Sequence, residues 1–343
     1  ALVIISYTSV GGFSAVATMD LIQSIIMTVA LVVITVFSIN QAGGVDAVVE
    51  NAKSMDGYLS FFQTYDPVAG SAKPYPAINI FSMLAWGLGY FGMPHILVRF
   101  MAIRDEKELT LSRRIAAVWV VISMTVAVCI GMIGNSVSKA GHIPTLEGSA
   151  SETIIVQIAN LLSTYGWLAA IVAGLILAGI LAATMSTADS QLLAASSAFS
   201  ENLLQDVFGM KLTPKQTMLV ARGTVICIAI IAVFLASDPN SSVFAIVSFA
   251  WAGFGATFGP AILCALFWKR SNRQGILAGL VVGGVMVFVW KFLIAPLGGA
   301  LAIYELLPAF LSALIAIVVV SLLTPKLDAS VLALFDQSKQ SAE

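Results

Sequence analysis

The chain has 343 residues, of which 59% are hydrophobic and only 10% charged, against about 25% charged in an ordinary soluble domain. That composition excludes a water-soluble fold. Seventeen basic and eighteen acidic residues give a net charge of -1, which leaves no basic footprint for nucleic acid. Partners are therefore expected to be membrane lipid and small diffusible solutes.

The opening run ALVIISYTSVGG has no basic region and no small-residue cleavage site, so it does not read as a signal peptide. It is expected to be the end of a spanning helix that begins upstream and closes in a turn at Gly11-Gly12, which would make the chain a carboxy-terminal fragment. Crossing about 30 Å of hydrocarbon takes about 20 apolar residues. Eight complete runs meet that length: 13–39, 78–100, 115–137, 166–195, 217–236, 243–268, 276–294 and 303–323. Segment 154–165 is too short and is expected to lie at the interface or re-enter. The pattern predicts an all-α polytopic membrane protein, with a transmembrane domain over 1–323 and a polar tail over 324–343.

Lysines and arginines are retained in cytoplasmic loops. Arg99, Arg104, Lys107, Arg113, Arg114, Lys211, Lys215, Arg222, Lys269, Arg270, Arg273, Lys326 and Lys339 fall at one set of alternating ends, and Lys53, Lys73, Lys139 and Lys291 at the other. The larger set is assigned inside. The Gly11-Gly12 turn and the carboxy terminus then face the cytoplasm, and loop 40–77 faces outward.

Asp20 lies roughly two turns into the first complete span. An ionisable group in hydrocarbon costs at least about 2.5 to 3.5 kcal/mol, so it normally faces a cavity, a partner or an ion. Two uses fit Asp20 equally: a helix-start acid favoured by the helix dipole, or an ion ligand.

Phe81 to His95, FSMLAWGLGYFGMPH, holds three glycines and a proline within nine residues. They weaken a continuous helix, and non-helical backbone at membrane depth is tolerated only where protein or a cavity covers it. A broken helix marks a candidate solute site. Trp86 and Tyr90, four apart, share a face and offer an aromatic wall with polar tips, in preference to an interfacial belt.

Ala182 to Gln191, AATMSTADSQ, sets hydroxyls at Ser186, Thr187 and Ser190 beside the carboxylate of Asp189. Positions 183, 186, 187 and 190 share a helix face. Hard cations take oxygen ligands, and this face supplies several. One hydroxyl in a membrane helix usually bonds back to a carbonyl one turn earlier; three beside an acid favour an ion. Further on, Trp251 to Pro260, WAGFGATFGP, reads as close helix packing. No phosphate loop of the GxxxxGK[ST] type and no HExxH helix is present, and no catalytic constellation supports an enzyme. No cofactor is implied beyond such a cation.

AWGLGYFGMPHILVRFMA, GILAATMSTADSQLLAASSA and SFAWAGFGATFGPAILCALFWKR closely resemble the sodium:solute symporter family, and within it the bacterial carriers of proline. The resemblance runs from Gly11-Gly12 through Lys291. It implies a leucine-transporter-type inverted-repeat bundle, here partial, lacking what precedes the end of the fourth core helix. It implies a main sodium site formed by the Ala183 carbonyl with the Ser186 and Thr187 hydroxyls. Asp20, Asp189 and Ser190 would contribute to sodium use, in part through a second position. Trp86 and Tyr90 would shape the proline pocket, with Pro94 at the helix break. Met93 departs from the pattern, since glutamine is usual there.

The expected activity is sodium-coupled symport of L-proline across the bacterial cytoplasmic membrane by alternating access, with no obligatory protein partner. Alternatives are symport of another small solute (a sugar, sialic acid or pantothenate) and a transporter-like sensor module. The tail is too short to hold a kinase domain, which counts against the sensor.

Overall fold

The computed structural model describes residues 2–236 and 242–340, with side chains described for 16–236 and 242–337. In chain order it contains α1 (Leu2–Gln41), α2 (Val45–Ser54), a hairpin of β1 (Gln63–Asp66) and β2 (Ser71–Pro74), and α3 (Ala77–Gly89). A 3-10 turn, Tyr90–Gly92, leads to α4 (Pro94–Met101). Then come α5 (Glu108–Lys139), α6 (Ile154–Ser163), α7 (Trp167–Ser197), α8 (Pro214–Leu235) and α9 (Val243–Phe267). The last are α10 (Arg273–Val289), α11 (Leu306–Leu323) and α12 (Ala329–Gln340).

Seven helices among the described residues are long and apolar enough to cross a membrane, eight if the bent pair Ala77–Gly92 and Pro94–Met101 is one span. They coincide with the eight runs expected from the sequence. α6, at 10 residues, is only about 15 Å long, too short to cross. The turn expected at Gly11-Gly12 is absent, because both glycines lie inside α1, a helix of 40 residues. Each glycine costs about 1 kcal/mol against alanine, while opening the helix in hydrocarbon would leave several peptide groups without partners. Further elements appear where the sequence suggested loop or tail: α2, the hairpin, a 3-10 helix Gly148–Thr153, a π-helix Ala198–Val207 and α12. Lys269 on the α9–α10 turn pairs with Asp336 of α12 at 2.6 Å.

The chain divides into two units. In the first, built from α1, α2 and α5 to α8, the core gathers Ile34, Ile130, Val137, Ile158, Ala173 and Ile176. α1 and α7 form its main antiparallel pair. The Tyr165 hydroxyl donates to Gln41 Oε1 at 2.9 Å, and Tyr165 meets the Phe37 ring edge-on at 5.7 Å. Farther along, a Cβ at Gly179 would stand 2.7 Å from Ala30 Cβ.

In the second unit, which holds α3, α4 and α9 to α12, helices α3, α9, α10 and α11 pack around Ala252, Ala256, Val287, Leu306, Ala309 and Phe310. Small residues let the backbones approach, as membrane helix pairs require. A Cβ at Gly255 would lie 2.6 Å from Gly89 Cα, and one at Gly92 would collide with Phe254 O and stand 2.8 Å from Gly259 N. α10 repeats the device, with Gly275, Gly279 and Gly283 closing on α11 and α9. That GxxxGxxxG spacing was available in the sequence and carries the contact.

These contacts separate two glycines of one neighbourhood. Gly92→Ala must displace backbone and is expected to cost about 1–3 kcal/mol. Gly87, with nothing within 4 Å of a Cβ, should tolerate alanine with a gain of about 0.5–1 kcal/mol. Melting curves of both variants in detergent decide it, and equal midpoints would contradict the crossing.

Candidate functional site

The candidate ion site is built on α7. The hydroxyls of Ser186 and Thr187 both donate to the Ala183 carbonyl, at 3.0 and 3.5 Å. One turn on, the Ser190 hydroxyl donates to the Ser186 carbonyl at 2.9 Å and lies 3.4 Å from Asp189 Oδ1. The back-bonding weighed against an ion in the sequence is therefore present. It occupies the Ala183 oxygen, which accepts both protons, but leaves acceptor lone pairs on the two hydroxyl oxygens. A hydroxyl has one proton and two acceptor lone pairs, and here the protons are spent on backbone carbonyls. Two side-chain oxygens with unused lone pairs are left beside the Ala183 oxygen. Ser186 is half-buried and Thr187 exposed.

Asp189 is 0% exposed, and Asp20 is half-buried on α1. The antiparallel register sets them close in height. Gln41 meets Tyr165 and Ala30 meets Gly179, so counting back along both helices puts Asp20 level with residues 186 to 189. Two carboxylates and the hydroxyl cluster thus share one level of the α1–α7 pair. The sequence reading missed a neighbour: Gln23, one turn from Asp20 and 4% exposed, whose Oε1 is buried with no hydrogen-bond donor. The same register places it level with residues 183 to 186. An unmatched buried amide oxygen costs about 1–3 kcal/mol, and a cation is one partner that would remove the deficit. The three-residue spacing from Asp20 was the signal that could have found it.

The candidate solute wall lies in the second unit. Trp86 stacks on Trp251 with centroids 5.3 Å apart, on Phe244 at 5.5 Å and on Tyr304 at 6.2 Å. Tyr90 meets the Trp251 ring edge-on at 4.8 Å and is 51% exposed. Trp86 and Tyr90 therefore do share a face, and Trp251 is where they meet. The Trp251 indole N–H donates to the Trp86 carbonyl at 2.9 Å, capping a peptide oxygen near the end of α3. The run around Trp251, read from the sequence as packing alone, also supplies this ring. Phe244 and Tyr304 were not anticipated.

Pro94 opens α4, and the helix axis bends by 47° across the break. Proline lacks an N–H and forces extended backbone on its predecessor. Met93 is accordingly extended, with φ -81° and ψ 111°. Its carbonyl is recovered by the N–H groups of Ile96 and Leu97, both at 3.0 Å. The Met93 side chain is buried and presents a thioether to the protein interior.

The sodium:solute symporter family model matches residues 1–283. The osmoregulated proline transporter OpuE of Bacillus subtilis is 37% identical over 324 residues, covering 94% of this chain and 62% of that protein. The high-affinity proline transporter PutP of the same organism is 38% identical, covering 94% and 64%. The sodium/proline symporter of Escherichia coli is 37% identical, covering 93% and 60%. The chain thus spans 60 to 64% of the length of these relatives. Among solved structures, the substrate-bound outward-open state of a sodium-coupled sialic acid symporter superposes with a TM-score of 0.72 at 20% identity, covering 95% of this chain and 66% of that one. That likeness gives the fold, a leucine-transporter-type bundle.

A cation bound at the α1–α7 level would stabilise the folded state by mass action. Melting in detergent is expected to rise in sodium chloride over choline chloride at equal ionic strength. Ser186→Ala with Thr187→Ala should abolish that difference. Gln23→Leu should reduce it while leaving the sodium-free midpoint unchanged or raised. A sodium-free midpoint lowered by Gln23→Leu would show that the amide is a packing element.

Proposed function

Because the chain belongs to the sodium:solute symporter family, we propose that its protein is a secondary active transporter in which sodium entry drives uptake of L-proline into the cell. The observation that carries the reading is the convergence of the Ser186 and Thr187 hydroxyls on the Ala183 carbonyl, which gathers three uncharged oxygens inside an apolar span. Proline as the solute is supported by relatives that are named proline transporters or sodium/proline symporters. The aromatic face of Trp86 and Tyr90 suits a small ring that is apolar on its flanks.

In this mechanism Ala183, Ser186 and Thr187 hold the main sodium ion. Asp20, Asp189 and Ser190, with Gln23, provide further oxygen and the negative charge that draws the ion in. Trp86 and Tyr90 wall the solute, and the break at Pro94 gives the backbone freedom to close on it. Sodium favours the state that binds solute well, a coupling of two binding equilibria. One sodium ion crossing 100 mV releases about 2.3 kcal/mol, and a tenfold gradient adds about 1.4 kcal/mol. Together they sustain roughly several-hundred-fold accumulation of a neutral zwitterion without ATP. The protein would sit in a bacterial cytoplasmic membrane with its carboxy terminus inside.

Uptake of labelled L-proline by cells producing the protein at its full encoded length tests this. Uptake should require sodium, and unlabelled proline should compete better than a sugar, sialic acid or pantothenate. Ser186→Ala and Thr187→Ala should each raise the half-saturating sodium concentration by about tenfold, as loss of one ion ligand worth about 1.4 kcal/mol requires. Unchanged sodium dependence in both variants would remove the ion from α7.

A further inference from the structure

Between α10 and α11 the chain runs through a strap, residues 290–305, whose end brings Tyr304 against the Trp86 ring of the solute wall. It consists of a π-turn, Trp290–Ile294, and two 3-10 turns, Ala295–Leu297 and Gly299–Ala302. Gly298 and Gly299 have φ values of 79° and 60°, which side-chain-bearing residues rarely adopt. The strap is tied across its mouth twice. The Trp290 indole N–H donates to the Leu301 carbonyl at 3.1 Å, and Lys291 Nζ lies 3.3 Å from Glu305 Oε1.

That ion pair is asymmetric. The Glu305 side chain is 4% exposed and the Lys291 side chain 41%. A carboxylate so deeply buried persists only with its charge matched, and such pairs are kept for the arrangement they impose more than for stability. The residue it holds in place is Tyr304. The Tyr304 backbone N–H donates to Ser82 Oγ at 3.0 Å, a hydroxyl one turn before Trp86 on α3. The Tyr304 hydroxyl donates to the Ser248 carbonyl on α9. Its ring lies 18° from the plane of Trp86. One residue therefore grips α3, α9 and the Trp86 ring together.

We propose that Tyr304, latched by the Lys291–Glu305 pair, is a positioning residue of the solute site that fixes the plane of Trp86 and so sets solute affinity without touching the ion. The proposal rests on the reading of Trp86 as solute wall. Packing alone does not call for this arrangement. A tyrosine kept only for its bulk has no need of a hydroxyl aimed at the Ser248 carbonyl or of a buried carboxylate at its side.

The test is a split between solute and ion. Tyr304→Leu is expected to raise the KM for L-proline by about tenfold, since small misplacements of a binding wall are costly. The half-saturating sodium concentration should stay within about twofold, below the tenfold change that removal of an ion ligand gives. Tyr304→Phe, which keeps the ring and loses the hydroxyl, should fall between wild type and leucine. Glu305→Gln and Lys291→Met should each raise KM, and the double variant should be no worse than the worse single, as expected for two halves of one interaction. A fall in maximal rate that follows the amount of protein in the membrane, with KM unchanged in all four, would overturn the proposal. If the wild type takes up no proline, the transport reading fails and the wall is read directly. Acrylamide quenching of the fluorescence lost in Trp86→Phe should increase in Tyr304→Leu, and quenching equal to wild type would overturn the positioning role.

Discussion

A peptide group inside a bilayer has no water to bond, so every N–H and C=O must find its partner in protein. This single requirement decides where the chain is straight and where it is allowed to break. α1 passes through Gly11-Gly12 without a turn because a helix satisfies its own backbone. Around Met93 the ladder is interrupted, and the loose groups are recovered individually. The indole of Trp251 caps the Trp86 carbonyl, and the first turn of α4 folds back on the Met93 carbonyl. The glycines at 89, 92 and 255 let α9 come close enough to do this. The aromatic wall is thus a by-product of backbone satisfaction: the ring that caps the break is also the ring on which Trp86 and Tyr90 converge.

Local features were legible in the sequence. Each candidate spanning helix is announced by a long, predominantly apolar run, and the cluster at Ala183, Ser186 and Thr187 is a matter of three- and four-residue spacing within one helix. The break before Pro94 could be read for the same reason. Features assembled across long separations could not be read. Trp251 bonds Trp86 across 165 positions and Tyr304 bonds Ser82 across 222, and nothing near either residue names its partner. Gln23 is an intermediate case. Its spacing from Asp20 was visible, but its burial follows from the packing of α1 on α7. The Gly11-Gly12 turn failed because local propensity, worth about 1 kcal/mol per glycine, was allowed to outweigh the cost of unpaired peptide groups.

The two units distribute chemistry unevenly. In the first, the notable groups are oxygens: a peptide carbonyl, alcohols, an amide and two carboxylates on one level of an antiparallel helix pair. In the second they are rings, stacked at 5.3 to 6.2 Å around Trp86. A hard cation and a small organic ring call for these two environments respectively. A protein that binds both therefore recognises them with different chemistry, and any coupling between the two sites runs through its conformational equilibrium.

The Ala183–Ser186–Thr187 cluster is built from groups with no formal charge and no exchangeable ionisation near neutral pH. Empty, such a cluster presents nothing for the membrane field to act on; filled, it presents the whole charge of its ion. On the proposed function, this cluster makes only the loaded half of the cycle electrogenic. Any voltage sensitivity in the return of the empty carrier would then originate in the carboxylates of Asp20 and Asp189.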